Sequence, residues 1–122
     1  MIKLSLVIPT YNEKENIQKL LIKIRKEFED NHIDGEIIVV DDNSPDGTGD
    51  ILENLKKKYS HLKVIHRKGK QGLSSAVLDG WKVAQGNILG VMDADLSHPP
   101  EKIKDIEDSK EEAEYYEVYS DE

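Results

Sequence analysis

The chain has 122 residues, no cysteine and a formal net charge of −8. That size suits one domain with a real core but is small for a complete α/β enzyme, and without cysteine both disulfide frameworks and thiolate metal sites are excluded. Residues 1–100 carry 15 acids against 14 bases, whereas residues 101–122 carry 10 against 3; a balanced body with an acidic tail argues against a nucleic-acid surface.

In chain order, apolar runs alternate with helical patterns. Lys3–Ile8 reads as a strand broken by Pro9. Ile17, Leu20, Leu21, Ile24 and Phe28 then recur on one face of an amphipathic helix, with Asn12 as its expected cap and Glu13 and Glu15 near its positive end. Glu36–Val40 is a second strand after Gly35, and it ends in Asp41-Asp42. A turn through Asn43–Gly47 leads to a helix carrying Ile51, Leu55 and Tyr59. Leu62–His66 reads as a third strand, followed by a basic loop from Arg67 to Gly72. A helix from about Leu73 to Gln85 comes next, with Gly86 as its stop and Trp81 in the core. Asn87–Met92 is the fourth strand, and Pro99 opens a last helix. No apolar run is long enough to cross a bilayer, and Met1-Ile2-Lys3-Leu4 reads as a strand rather than a secretion signal, so the expected compartment is the cytoplasm.

The order βαβαβαβα implies a parallel sheet with right-handed crossovers, and the expected strand order is 3-2-1-4. In such sheets functional groups gather beyond the carboxyl ends of the strands, which is where the unusual residues fall. Asp93 and Asp95, two positions apart after an extended run, point the same way and repel unless a cation sits near them. They suggest a divalent metal site. With strands one and four adjacent, Glu13, Asp42 and the Asp93/Asp95 pair would line one crevice, opposite a basic loop, as suits a metal-bound nucleotide. Taken singly, each motif has an ordinary reading. Asp41-Asp42-Asn43 followed by Ser44–Gly47 is turn chemistry and a helix cap. Arg67–Lys70 is a solvated loop, and His98 beside two prolines is a turn residue.

Four segments in the right order go further: Ser5-Leu6-Val7-Ile8-Pro9-Thr10-Tyr11-Asn12-Glu13, Val39-Val40-Asp41-Asp42-Asn43-Ser44-Pro45-Asp46-Gly47-Thr48, Gly72-Leu73-Ser74-Ser75-Ala76 and Met92-Asp93-Ala94-Asp95-Leu96-Ser97-His98-Pro99-Pro100. Together they resemble the inverting family-2 glycosyltransferases, and most closely the dolichyl-phosphate mannose synthase branch, over residues 3 to about 106. The resemblance implies a Rossmann-like three-layer α/β/α nucleotide-sugar-binding core (the GT-A fold), truncated here to its donor-binding part at 1–106. Residues 107–122 form an acidic tail, with a β-prone stretch at 115–119 that would pair with the fourth strand. Failing that pairing, the exposed edge would drive dimer formation.

Position by position, the resemblance implies that Pro9, Tyr11 and Glu13 bind the nucleoside and that Val40 and Asp42 contact base and ribose. It further implies that Asp93 and Asp95 are the catalytic metal and diphosphate residues, with Ala94 between them at the donor and Ser97 near the metal. Lys70 would approach the diphosphate. The implied cofactor is Mg²⁺ or Mn²⁺, the implied donor GDP-mannose or else UDP-glucose, and the implied acceptor a polyprenyl phosphate, with peripheral contact to a membrane. Two other classes fit less well. A receiver-type signalling domain needs its acidic pair after the first strand, and a dinucleotide-binding dehydrogenase needs Gly-x-Gly-x-x-Gly there; this chain has Pro-Thr-Tyr-Asn.

Overall fold

A computed structural model describes residues 1–68, 72–94 and 103, and the backbone of 115–117. The elements are β1 (Leu4–Thr10), α1 (Ile17–Asp30), β2 (Gly35–Asp41), α2 (Thr48–Lys58), β3 (Leu62–His66), α3 (Leu73–Lys82), β4 (Ile88–Val91) and β5 (Tyr115–Glu117). They build one sheet in the order β3-β2-β1-β4-β5, with every neighbouring pair parallel. The first four strands thus take the expected order 3-2-1-4.

Strands covered on both faces read as continuous apolar runs, because neither side of the pleat meets water. β1 and β2 follow this rule, and alternate residues feed two cores. Leu4, Leu6, Ile8, Ile37 and Val39 pack with Ile17, Leu20, Leu21, Ile24 and Phe28 of α1 and Leu52 and Leu55 of α2. On the opposite face Val7, Ile38 and Val40 pack with Ala76 of α3, and Trp81 lies against them, partly buried. Every residue of the α1 stripe foreseen from periodicity is buried. Each such side chain contributes roughly 1.5–3 kcal/mol by leaving water.

Three local expectations need correction. β1 does not stop at Pro9. The carbonyl of Val7 accepts from Met92 on the β4 side, and that of Thr10 accepts from Asp42 on the β2 side. Pro9 therefore turns its missing N–H toward β4, which has already ended at Val91, and no ladder bond is lost. Asn12 is not the cap of α1: it takes a left-handed backbone (φ 55°), and Asn16 stands at the cap position. α3 ends at Lys82, short of Gln85. Gly86 is not its stop but a close approach, since a Cβ there would lie 2.8 Å from the Lys3 carbonyl oxygen. The 115–119 stretch needs no such correction: β5 lies within it and pairs with β4 along Leu89–Val91, so that edge of β4 is occupied.

A buried polar cluster ties the amino ends of the strands together. The Ser5 hydroxyl donates to Glu36 Oε2 at 2.6 Å, and the Gln85 N–H donates to the same oxygen at 2.7 Å. Lys63 Nζ lies 3.0 Å from Glu36 Oε1. Burial works against the Glu36 charge, but these hydrogen bonds outweigh it and hold the carboxyl below its ordinary range.

Candidate functional site

The carboxyl ends of β1, β2 and β3 deliver three short segments that are stitched to one another. After Thr10 the chain exposes Tyr11 and turns at Asn12, whose N–H donates to Ser44 Oγ at 2.9 Å. The Ser44 hydroxyl in turn donates to Asp41 Oδ1 at 2.6 Å. Asp46 accepts from the Lys14 N–H at 3.1 Å and from both the N–H and the hydroxyl of Thr48, the first residue of α2. Desolvation opposes the Asp46 charge, but these donors prevail and hold its carboxyl below the usual range. Asn43 Nδ2 donates to the Lys68 carbonyl at 3.3 Å, joining the segment after β2 to the one after β3. Asn and Asp at such positions satisfy backbone donors that a loop would leave open.

Asp42 is the centre of this arrangement. It directly follows β2, its N–H donates to the Thr10 carbonyl at 3.0 Å, and its side chain is about a tenth exposed. Both carboxylate oxygens are held in a fork by Arg67: Nε bonds Oδ1, and Nη2 bonds Oδ2 at 2.9 Å. The hydrogen bonds that Arg67 donates to Asp42, against the cost of burial and with help from Asp79, raise the Arg67 pKa further. On the other side of β1, the Met92 N–H donates to the Val7 carbonyl, and Asp93 follows, partly exposed. Asp42 and Asp93 therefore leave the sheet on opposite flanks of β1, and Pro9–Glu13 emerges between them.

The sequence-derived candidates divide as follows. Pro9, Tyr11, Glu13, Asp42 and Asp93 gather at this end of the sheet; the Glu13 carboxylate accepts from Asn16 Nδ2 at 3.2 Å. Ala94 is buried. Val40 is fully buried in the core facing α3, so its side chain offers no surface to a ligand. Lys70, Asp95 and Ser97 lie outside the described residues. Among the described residues, no three His, Asp or Glu side chains converge as a metal site. Among the described residues at this end of the sheet, the carboxylates of Glu13, Asp42 and Asp93 are hard oxygen donors, the kind that Mg²⁺ and Mn²⁺ take.

Arg67 is the residue that reading the sequence missed, because Arg67-Lys68-Gly69-Lys70 looks like a solvated basic loop; it is 8% exposed. The strand register is what brings it in: Asp41 pairs with His66, so Asp42 stands opposite Arg67.

A sequence model of the family described as Glycosyl transferase family 2 matches residues 5–119. The chain belongs to this family. Dolichol-phosphate mannosyltransferase of Pyrococcus furiosus is 51% identical over 104 residues, covering 83% of this chain and 28% of that relative. The protein of the same name from Saccharomyces cerevisiae is 38% identical over 109 residues, covering 88% and 41%. Among solved structures, the mannosyltransferase PcManGT from Pyrobaculum calidifontis in complex with GDP-Man and Mn²⁺ superposes with a TM-score of 0.71 at 25% identity, over 82% of this chain and 29% of that one. TarS 1–349 of S. aureus in complex with UDP-GlcNAc gives 0.66 at 31% identity, over 85% and 30%. This family-2 chain thus has the GT-A arrangement of its neighbours and spans well under half the length of these relatives.

Proposed function

We propose that this family-2 chain is the donor-binding part of a glycosyltransferase of the polyprenyl (dolichyl)-phosphate mannosyltransferase type. It takes GDP-mannose and supports metal-dependent transfer with inversion to a polyprenyl phosphate, at the cytoplasmic face of a membrane. The observation that carries the reading is the emergence of Asp42 and Asp93 on opposite flanks of β1 with Pro9–Glu13 between them. That arrangement would allow a nucleoside one acidic partner and a diphosphate-bound cation another. The likeness to dolichol-phosphate mannosyltransferases supports the choice of sugar and acceptor.

In this reading Tyr11 and Pro9 flank the nucleoside, Glu13 and Asp42 accept from its hydroxyl and base N–H groups, and the backbone at Val40 and Ala94 lines the floor. Asp93, Asp95 and Ser97 would hold a divalent cation, which would supply charge neutralisation to the departing diphosphate. Lys70 adds a positive charge on the phosphate side. The acceptor phosphate is already a nucleophile, so a strong general base is not required; it attacks the sugar C1 from the face opposite the leaving group. No helix among the described residues is long and apolar enough to span a membrane, consistent with peripheral contact.

Calorimetric titration of the 122-residue chain with GDP-mannose and with UDP-glucose, each with and without Mn²⁺, tests the donor assignment. The expected result is weak binding of GDP-mannose that Mn²⁺ strengthens. Metal-indifferent binding, or none, would overturn the reading. A preference for the uridine donor would favour a UDP-sugar transferase instead, the reading that the UDP-GlcNAc-bound neighbour supports. The chain alone is expected to transfer little sugar, and robust turnover onto a polyprenyl phosphate would refute that.

A further inference from the structure

The five N–H donors of Arg67 meet five acceptors. Nε bonds Asp42 Oδ1; Nη1 bonds Ser75 Oγ and, at 3.2 Å, Asp79 Oδ2; Nη2 bonds Asp42 Oδ2 at 2.9 Å and the Gly72 carbonyl at 3.1 Å. A guanidinium has only these five donors. Arg67 therefore has none left for a phosphate, although it sits at the head of the chain's most basic loop. Asp42 is different. A carboxylate offers about four lone-pair sites, and the fork with Arg67 occupies two.

The remaining capacity of Asp42 belongs to the slim part of its side chain that stays open, about a tenth. A buried ion pair is a poor way to gain stability, since well-packed apolar residues serve as well. What a bidentate fork does supply is orientation: it fixes the plane of the carboxylate and thereby the direction of its free lone pairs. The same guanidinium bonds Ser75 and Asp79 of α3 and the Gly72 carbonyl just before that helix. It therefore ties the aim of Asp42 to the placement of α3.

We propose that Arg67 is the positioning residue of the nucleoside end of this site. It touches no ligand, but fixes the carboxylate of Asp42 and with it the preference for a nucleoside diphosphate over a bare diphosphate. The proposal deepens the donor-binding reading and rests on it. Lysine keeps the charge but cannot make a planar fork, so Arg67→Lys separates orientation from electrostatics.

The test is titration of the full chain, in Mn²⁺, with GDP and with inorganic pyrophosphate. The proteins are the wild type, Arg67→Lys, Asp42→Asn and the double variant, each checked for a cooperative thermal transition above the titration temperature. Arg67→Lys is expected to weaken GDP binding about tenfold, the size of one charge-assisted hydrogen bond. Pyrophosphate affinity should stay within about twofold, as for contacts independent of Asp42. In the Asp42→Asn background the lysine substitution should add little, because the two residues act as one unit. Equal losses for GDP and pyrophosphate, unchanged GDP affinity in Arg67→Lys, or full additivity in the double variant would each overturn the proposal while leaving the donor reading standing. Wild-type protein that binds no GDP at all would overturn both. Arg67→Ala serves as a folding control: a lowered melting point alone, with the GDP-to-pyrophosphate ratio intact in Arg67→Lys, would mark the arginine as merely structural.

Discussion

Asp42 answers to two demands at once, as counter-charge for a buried guanidinium and as an acceptor at the mouth of a crevice. Removing it should be felt in both respects. Asp42→Ala leaves Arg67 buried without its main partner, a situation that typically costs about 3–5 kcal/mol, and urea unfolding should register a loss of that order. Asp93→Asn should behave differently: GDP affinity without metal is expected to stay unchanged, while the increment added by Mn²⁺ falls about tenfold or more, as for a damaged metal shell. Paired titrations with and without Mn²⁺ check this. The acids themselves were legible in the sequence, because carboxylates ending apolar runs are conspicuous. Arg67 was not, since its burial depends on Asp42, 25 positions earlier, and on Ser75 and Asp79, 8 and 12 positions later. Val40 was legible as a strand residue only; the alternation that sends Asp42 toward Arg67 also turns the Val40 side chain into the core.

Among the elements, α3 shows most clearly how close packing escapes a sequence pattern. A Cβ at Gly80 would come within 2.7 Å of Val7 Cγ1, so the helix rests on β1 at a distance only glycine allows. Gly80→Ala gains helix propensity of about 1 kcal/mol, yet the clash should outweigh it and leave a net loss of about 1–3 kcal/mol by overpacking. Combining it with Val7→Ala should cost less than the sum of the single changes, and a double-mutant cycle in denaturant measures that coupling. Periodicity located the buried stripe of α1 correctly, because spacing alone decides which face is apolar. It overran the end of α3, since Val83 and Ala84 continue the apolar pattern past the last helical residue while Gly86 is needed against Lys3. It also stopped β1 too soon, because proline's cost depends on which neighbour its missing N–H faces.

At the scale of the whole molecule, charge at the amino ends of the strands sets an acid limit. The folded Glu36 carboxyl lies below its unfolded value, so its stabilisation is present above the ordinary carboxylate range and is lost as pH falls from that range through the lower folded value. Glu36→Gln should lower stability by about 1–3 kcal/mol at neutral pH, through loss of charged hydrogen bonds, and flatten the dependence on pH below about 4.5; thermal melts between pH 3 and 7 test both effects. The strand order and the two-sided sheet were legible because alternating apolar runs and helices admit few topologies. The direction of β5 was not, since three residues of strand propensity carry no sense of parallel or antiparallel. The parallel pairing of β5 with β4 has a kinetic consequence. β5 pairs with β4 over three residues, against seven between β1 and β2, five between β2 and β3 and four between β1 and β4, so it has the least pairing to offset the entropy of closing the chain back onto the sheet. Elements held by so few contacts are the last to settle and the first to open. During refolding, β4 is therefore expected to stand with an open apolar edge for a time, and other molecules in the same state compete for it. Dilute solutions should refold cleanly and concentrated ones should lose material to aggregates, with the dividing concentration set by how fast those last three residues arrive.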